Sequence, residues 1–448
     1  MATDNGVTQT KRYPLGLTGY QWAVLFVAWI GWGFDVFDGL LFNYVAPNCV
    51  PTLLHIPIGT PEAAKATAFW TGRLTSLLLI GWAVGGVLFG QIADRIGRSR
   101  TLMLTMVLYA VGTAACAFAP NLWWLIIFRG LESLGIGGEW AAGAAMVSEA
   151  VPEKRRVEAG ALLYTSAPAG LFLATFVVQQ IAGVYMKTQP ELSWRYIFLS
   201  GLVPAAFAVI TLAFVREPER WQKAGKDAAT KISELFTPEN RRLTLSGFVP
   251  AVVVLITWWS CNAFNSVVAT DLAQAFAKAH DLDKVHTQVL VEHWKAIATN
   301  SFNWGGLIGT LLTIPAAKYL GRRVMFFLYL LLSSASIFAT FALNLPPEIR
   351  LYFYFFIGLT VFGVFGSFTF YLPELFPTRL RATGAGFCYN IGRLVAAIGP
   401  ILVGQIAKGG VNALHSITNA LIWIGFVPLI GICFLPWVIE TRNRQLSD

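Results

Sequence analysis

Charge is what this sequence has little of. Asp, Glu, Lys and Arg make up 13% of the 448 residues, against roughly 25% in ordinary soluble domains. That is too little to cover the surface of a water-soluble protein of this size. Cysteine is sparse as well: Cys49, Cys116, Cys261, Cys388 and Cys433. Four of these lie in or near apolar blocks, Cys49 faces an expected outer loop, and no two are spaced as a metal pair, so all five read as free thiols. The five histidines are isolated. No Ser/His/Asp constellation or metal-ligand cluster emerges, which argues against an enzyme and against a bound metal. There is no Gly-rich loop ending in Lys-Ser to cradle a nucleotide phosphate, so ATP is not expected to drive this protein and no cofactor is expected.

Apolar sequence is what fills the chain: 56% of residues are hydrophobic. They come in blocks of about 20, the length that crosses ~30 Å of hydrocarbon. The blocks predict twelve spans, at 20–47, 69–91, 101–119, 121–149, 157–186, 194–215, 243–275, 294–317, 324–343, 350–375, 383–407 and 414–439. Backbone groups in lipid must be hydrogen-bonded internally, and the alternation of a membrane barrel is absent, so the spans are expected to be helices. Residues 1–19 are polar and the first apolar block is too long for a signal h-region, so that block is expected to remain as the first helix. The net charge is +9. The basic residues sit in short polar loops, so membrane topology explains them better than a nucleic-acid surface. With the N-terminus inside, 22 Lys and Arg fall in inner segments and 8 in outer ones. Both termini are therefore expected in the cytoplasm.

Three short patterns recur. Glu149, Pro152 and Arg156 match Glu374, Pro377 and Arg381; Val215 and Glu217 match Val438 and Glu440; Gly97 and Arg98 match Gly321 and Arg322. The offsets are nearly equal and fall at corresponding inner loops. They point to a duplicated six-span unit: residues 1–215, a charged cytoplasmic linker at 216–242 with a short surface helix near 229–236, and residues 243–448. Parallel repeats of this kind hold the substrate between them near the midplane.

Ionisable residues at membrane depth are functional candidates, because each is costly there. Asp35 and Asp38 lie one turn apart on one helix face. Two carboxylates so close in a weakly hydrated site cannot both ionise cheaply, so one is expected to carry a proton; the alternative is a pair lining a hydrated cavity. Arg393 is well inside the eleventh span, with nothing acidic beside it in its own helix. Its planar fork suits a carboxylate, supplied either by a substrate or by an acid across the bundle. Arg129, Glu132 and Glu139 lie near one face of the fourth span, where Arg129 and Glu132 can simply neutralise one another. Asn262, Asn265, Asn300, Asn303, Tyr389 and Asn390 are polar groups suited to binding oxygen atoms, or to bonding between helices. Trp258, Trp259, Trp304, Phe365 and Tyr371 are candidate linings for a flat or apolar substrate. Arg73, near an outer helix end, reads as a snorkelling or gating residue.

Some segments carry a resemblance. GQIADRIGRSR at 90–100 resembles the major facilitator signature, through Gly90, Asp94, Arg95, Gly97, Arg98 and Arg100. Its second copy, IPAAKYLGRR, has Lys318 where Asp94 stands. VREPERW at 215–221 and VIETRNRQL at 438–446 are similar to segments closing the halves of sugar porters and organic-ion transporters. GFDVFDG resembles the first-helix acidic pair of the aromatic-acid/proton and sialate/lactate proton symporters, with Val36 where those carry Gly. YNIGRLVAAIGP around Arg393 and GGEW at Glu139 are also similar to segments of organic-acid symporters. In YTSAPAGLFLAT, Ala167 replaces a Gly of the fifth-helix antiporter signature, which counts against drug/proton exchange.

The resemblance implies an all-α membrane protein of twelve transmembrane helices in two pseudo-symmetric six-helix bundles. It implies proton-coupled uptake of an organic acid by alternating access, in a bacterial inner membrane, by a monomer. Protons are the coupling ion and a small organic anion the substrate. Asp35, Asp38, Arg129 and Glu139 would then handle the proton. Arg393, Tyr389, Asn390 and the asparagines would hold the substrate, and Asp94, Arg95, Arg98, Glu149, Arg156, Glu374 and Arg381 would gate. A sugar or polyol symporter and a drug or metabolite antiporter are the competing readings.

Overall fold

The computed structural model describes residues 14–96, 98–152, 155–203, 206, 232–377 and 380–442. Among the described residues every regular element is helical. The first group is α1 (Gly19–Leu54), α2 (Pro61–Ile96), α3 (Arg98–Cys116), α4 (Leu122–Ala150), α5 (Arg156–Tyr164), α6 (Ser166–Val178) and α7 (Pro190–Leu199). The second begins with α8 (Arg241–Ala279), α9 (Lys284–Pro315), α10 (Arg322–Phe341), α11 (Pro347–Ile357) and α12 (Phe368–Leu375). It closes with α13 (Arg381–Ala396), α14 (Ile398–Gly409), α15 (Ala413–Ile424) and α16 (Phe426–Cys433). Among the described residues, eight helical stretches, from Gly19–Leu54 to Ala413–Cys433, are long and apolar enough to cross a membrane. The chain is an integral membrane protein. The 32 residues of α9 would also reach across, but Glu292, Lys295, Asn300 and Asn303 interrupt their apolar run.

Several helices outrun the predicted spans. α1 continues to Leu54 and ends on His55, whose φ of 57° turns the chain out of the helix. α2 already starts at Pro61. The large outer loop expected at 48–68 thus shrinks to a short turn, and Cys49 is a buried helical residue rather than a loop one. The second expected outer loop shrinks likewise, since α8 ends at Ala279 and α9 begins at Lys284 behind an Asp283 cap that accepts the His286 N–H at 2.8 Å. Of the 216–242 linker, the described part begins with a single 3-10 turn, Ile232–Phe236.

Prolines break the helices where the site needs them broken. Pro168 has no N–H to give the Tyr164 carbonyl, so α5 stops at Tyr164 and α6 restarts at Ser166. Pro400 likewise has no N–H for the Ala396 carbonyl between α13 and α14, and there Ser76 of α2 donates to the buried carbonyl of the neighbouring Ala397 at 2.6 Å.

Small residues set how closely the helices approach. α2 packs along α4 and α14, α1 along α6, and α9 along α11 and the π-helical turn Gly358–Phe362. In that last contact a Cβ added to Gly309 would stand 2.1 Å from the Leu359 carbonyl oxygen, and one on Gly358 would stand 2.0 Å from that of Phe302. Lipid provides no hydrophobic drive between helices, so such backbone-to-backbone packing carries their association. A Gly309→Val variant should cost about 2 kcal/mol through overpacking and lower the heat-unfolding midpoint in detergent by several degrees. Gly130→Val, with nothing within 4 Å of the added carbon, should leave the midpoint in place. Equal midpoints for the two variants would show that this contact does not hold the bundle together.

Candidate functional site

The site begins with Arg393, which α13 carries into the middle of the molecule. Only 3% of its surface is exposed. Its guanidinium carbon lies 4.4 Å from the ring centre of Trp82 and 4.4 Å from that of Tyr389. Nη1 donates to Asn390 Oδ1 at 3.1 Å. The Tyr389 hydroxyl is hydrogen-bonded to Arg393 and to Tyr164. Two aromatic faces suit the flat, weakly hydrated guanidinium, whose charge they attract. Trp82 and Tyr164 come from the first helices, α2 and α5, whereas Tyr389 and Asn390 come from α13. The cation is therefore held between α1–α7 and α8–α16.

Rings extend the site on one side. Trp258 of α8 meets Trp259 at 4.6 Å, Phe362 at 5.4 Å and Phe365 at 5.8 Å between centroids. Tyr164 stacks on Phe365 at 6.0 Å and meets Trp32 edge-on at 4.8 Å. All of these rings are buried. Trp258, Trp259 and Phe365 are thus gathered as the sequence suggested. Trp304 and Tyr371 are not. Trp304 is half-exposed and packs on Phe172 at 5.0 Å. Tyr371 is tied down by Ser246 Oγ at 2.7 Å and the Ile439 carbonyl at 3.2 Å, and its ring packs on Phe326 at 5.1 Å.

The carboxylates of α1 divide. Asp35 and Asp38 are both fully buried. Asp35 is near enough to Arg393 for its charge to act on the guanidinium. Asp38 points between α3 and α7: its Oδ1 lies 2.7 Å from where a Gly201 Cβ would stand, beside the Thr113 methyl at 2.6 Å from the same point. Arg129 pairs with Glu132 at 2.6 Å, as the simpler sequence reading allowed, and also donates to the Gly39 carbonyl of α1 at 2.8 Å. That bond ties the pair to the helix carrying both aspartates.

The asparagines separate too. Asn262, Asn265 and Asn303 are buried, Asn265 donating to the Ala298 carbonyl at 3.5 Å and Asn303 facing Tyr44. Asn300 instead lines a lateral cleft of about 680 Å³ with Gln179, His293 and Trp304, away from Arg393.

At the end expected to face the cytoplasm, Glu374 accepts from Arg322 at 2.8 Å and from Thr441 at 2.6 Å. Arg381 donates to the Pro373 carbonyl at 3.2 Å. Burial pushes the Glu440 carboxyl up, but the backbone N–H groups of Arg322, Arg323 and Arg442 more than offset it and hold the group below the usual carboxylate range. Lys318 bonds to Glu158 of α5 at 2.6 Å and so bridges the two groups of helices. The side chains of Asp94, Arg95, Arg98, Glu139, Glu149 and Arg156 lie outside the described ones.

Sequence reading missed Trp82, Tyr164 and Glu158, which nothing distinguishes from other aromatics and helix-end acids until the chain is folded. It also placed Lys295 in an outer segment. In the structure Lys295 is buried and paired with Glu292 at 2.8 Å; the spacing of Glu and Lys at i, i+3 was the available signal.

Known proteins agree with this architecture. Residues 21–400 match the Major Facilitator Superfamily. The chain is 27% identical over 420 residues to a protein named "probable 4-methylmuconolactone transporter" in Cupriavidus pinatubonensis, covering 93% of this chain and 90% of that one. It is 25% identical to the gentisate transporter of Corynebacterium glutamicum, over 89% of this chain and 84% of the relative. The crystal structure of a D-xylose-proton symporter superposes with a TM-score of 0.69 over 95% of this chain and 100% of that one, at 18% identity, which bears on the fold alone. An all-helical membrane protein with a buried cation between two groups of helices, matching that family across most of its length, is a transporter and not an enzyme; the chain belongs to the major facilitator superfamily.

Proposed function

We propose that this protein carries an organic acid inward together with a proton, by alternating access of two six-helix halves, 1–215 and 243–448, joined by the 216–242 linker. This reading has twelve spans, both termini in the cytoplasm and a monomer in a bacterial inner membrane; the excess of inner Lys and Arg supports that orientation. The observation that carries the proposal is Arg393, held by Trp82, Tyr389 and Asn390 within reach of Asp35's charge. The names of the relatives, transporters of gentisate and 4-methylmuconolactone, support an organic acid.

The coupling follows from charge balance. Arg393 supplies one positive charge to a dry site, and Asp35 is the nearby anion. A substrate carboxylate that docks on the guanidinium adds a second anion, which one cation cannot neutralise in a weakly polar medium. A proton on Asp35 restores the balance. Substrate and proton then bind together or leave together, which is the linkage that symport requires. The rings of Trp258, Phe362, Phe365 and Tyr164 would receive a flat body attached to that carboxylate. Asp38, set against Thr113 and Gly201, would support the helix movement more than the charge balance.

Internal pH of proteoliposomes tests this. Adding an aromatic carboxylate should acidify the lumen. Arg393→Ala should weaken the response roughly 100-fold, the loss of one charge-assisted pair. Asp35→Asn should abolish acidification while substrate still binds, and Asp38→Asn should act mainly on turnover. Carboxylate uptake that survives Arg393→Ala, or acidification driven by a neutral sugar, would defeat the reading.

The Lys318–Glu158 bridge generates a second test. In this proposal it closes the cytoplasmic side, so its loss biases the carrier toward one conformation. Lys318→Glu and Glu158→Lys should each slow transport about tenfold, within the usual range of conformational coupling. The double reversal should recover most of that loss. Independent, additive losses would remove the bridge from the gating cycle.

A further inference from the structure

The end opposite Lys318 is sealed by two contacts that converge on neighbouring residues of α1. On one side Asn48 donates to Glu292 Oε1 at 3.3 Å and to Ser193 at 3.4 Å. Gln288 and Lys295 also donate to that carboxylate, at 3.0 and 2.9 Å. Glu292 therefore enters the seal already neutralised, within a network that is almost wholly buried.

On the other side Pro47 faces Asp271 of α8. A crevice of about 10 Å³ separates them, enough for roughly one water molecule. Its lining includes Gly59, Ala63, Thr67, Thr270 and Gln274, and none of its lining residues other than Asp271 carries a charge. The Oδ2 atom is buried with no hydrogen-bond partner. The charged and titratable groups towards this end of the surrounding elements include His55, Glu62, Lys65, Arg73, Lys278, His280, Asp281, Asp283, Lys284, His286, His293, Lys408 and the Glu292–Lys295 pair. None lines the crevice, and among the described residues no charged group acts on the Asp271 carboxyl. Arg73 and Lys408 are turned onto the Phe69 ring at 4.0 and 4.1 Å.

The two acids of one seal are thus treated differently: Glu292 has its own cation and Asp271 has none. We propose that Asp271 is a proton-binding site of the outer seal, distinct from the Asp35 and Asp38 pair. Closing the seal takes the carboxylate's Oδ2 out of water without supplying a cation, so the closed form favours the protonated acid and the open form the ionised one. A proton arriving from outside would then license closure, ahead of the charge balance at Arg393. The site rests on the alternating-access reading but not on the identity of the substrate.

The test is outside-in labelling of an Ala63→Cys variant, at a position 3% exposed in the closed seal. A membrane-impermeant maleimide is applied to right-side-out vesicles between pH 5 and pH 8, with no substrate present. Labelling is compared with the same variant carrying Asp271→Asn, which removes the intrinsic pH dependence of the thiol from the ratio. The rates should be nearly equal at pH 5, and the Asp271 form should label roughly tenfold faster at pH 8, where its carboxylate resists closure. Asp271→Ser should behave as the Asn variant does, and Asp271→Glu should retain the pH dependence. Glu292→Gln, with Asp271 kept, should raise labelling at every pH without flattening the ratio. A ratio that stays flat from pH 5 to pH 8, or that flattens in Glu292→Gln alone, would overturn the proposal. Because no substrate is used, a failure of the acid-uptake reading in proteoliposomes would leave this result standing, and the reverse also holds.

Discussion

The structure depends on how one buried cation is kept. Arg393 sits almost wholly out of water, and a bare guanidinium there would be strongly destabilising. Two aromatic faces, an amide oxygen, a tyrosine hydroxyl and the charge of Asp35 offset the lost hydration. Those partners come from α1 and α2 on one side and α13 on the other. Keeping the cation satisfied therefore requires the two groups of helices to meet. Any movement that parts them changes the surroundings of Arg393, and a ligand that replaces the lost contacts will bias the movement.

The other intramembrane charges fall into a graded series. Arg129 with Glu132 and Lys295 with Glu292 are pairs one turn apart, each neutral as a unit and each carried within one helix. Such pairs move with their helix and need nothing from the opposite group to remain balanced. Arg393 with Asp35 is balanced only across the interface. Asp271 has no cation among the described residues. Charges balanced within a helix can serve as fixed structure, whereas those balanced between helices, or not balanced, are sensitive to which side is open. The sensitive ones lie where α1, α2, α8 and α13 meet.

Rigid packing gives those charges leverage. Where glycine faces a carbonyl within one group, as at Gly309 and Leu359 or at Gly170 and the Gly33 carbonyl 2.0 Å from its built Cβ, there is no side chain to absorb a small shift. The helices move as bodies, and motion is directed to the places where side chains rather than backbones touch. The bonds between the two groups at Lys318–Glu158 and Asn48–Glu292 are contacts of that kind. They lie at opposite ends of the molecule, so releasing one while holding the other opens a single side.

Much of this protein is written in its order of residues. Apolar blocks of membrane length, the scarcity of charge and the signature at 90–100 are local properties, and they determined the membrane location, the helical class and the family. Asp35, Asp38, Arg129 and Arg393 were legible for the same reason, since a charge within an apolar block is conspicuous wherever the chain later goes. Other features were decided only by folding. Trp82 matters because it reaches Arg393 from a distant helix, Tyr164 because it reaches Tyr389 beside that cation, and Asn300 leaves the site because its face of α9 turns outward while Asn303 turns inward. Asp38 turns toward Gly201 although it shares a helix face with Asp35, because that face is wide enough to meet two different neighbours. Asp271 and Glu292 are both acids near an outer helix end in the sequence. Which of them has a cation is fixed by side-chain packing, and no linear pattern specifies what stands across an interface.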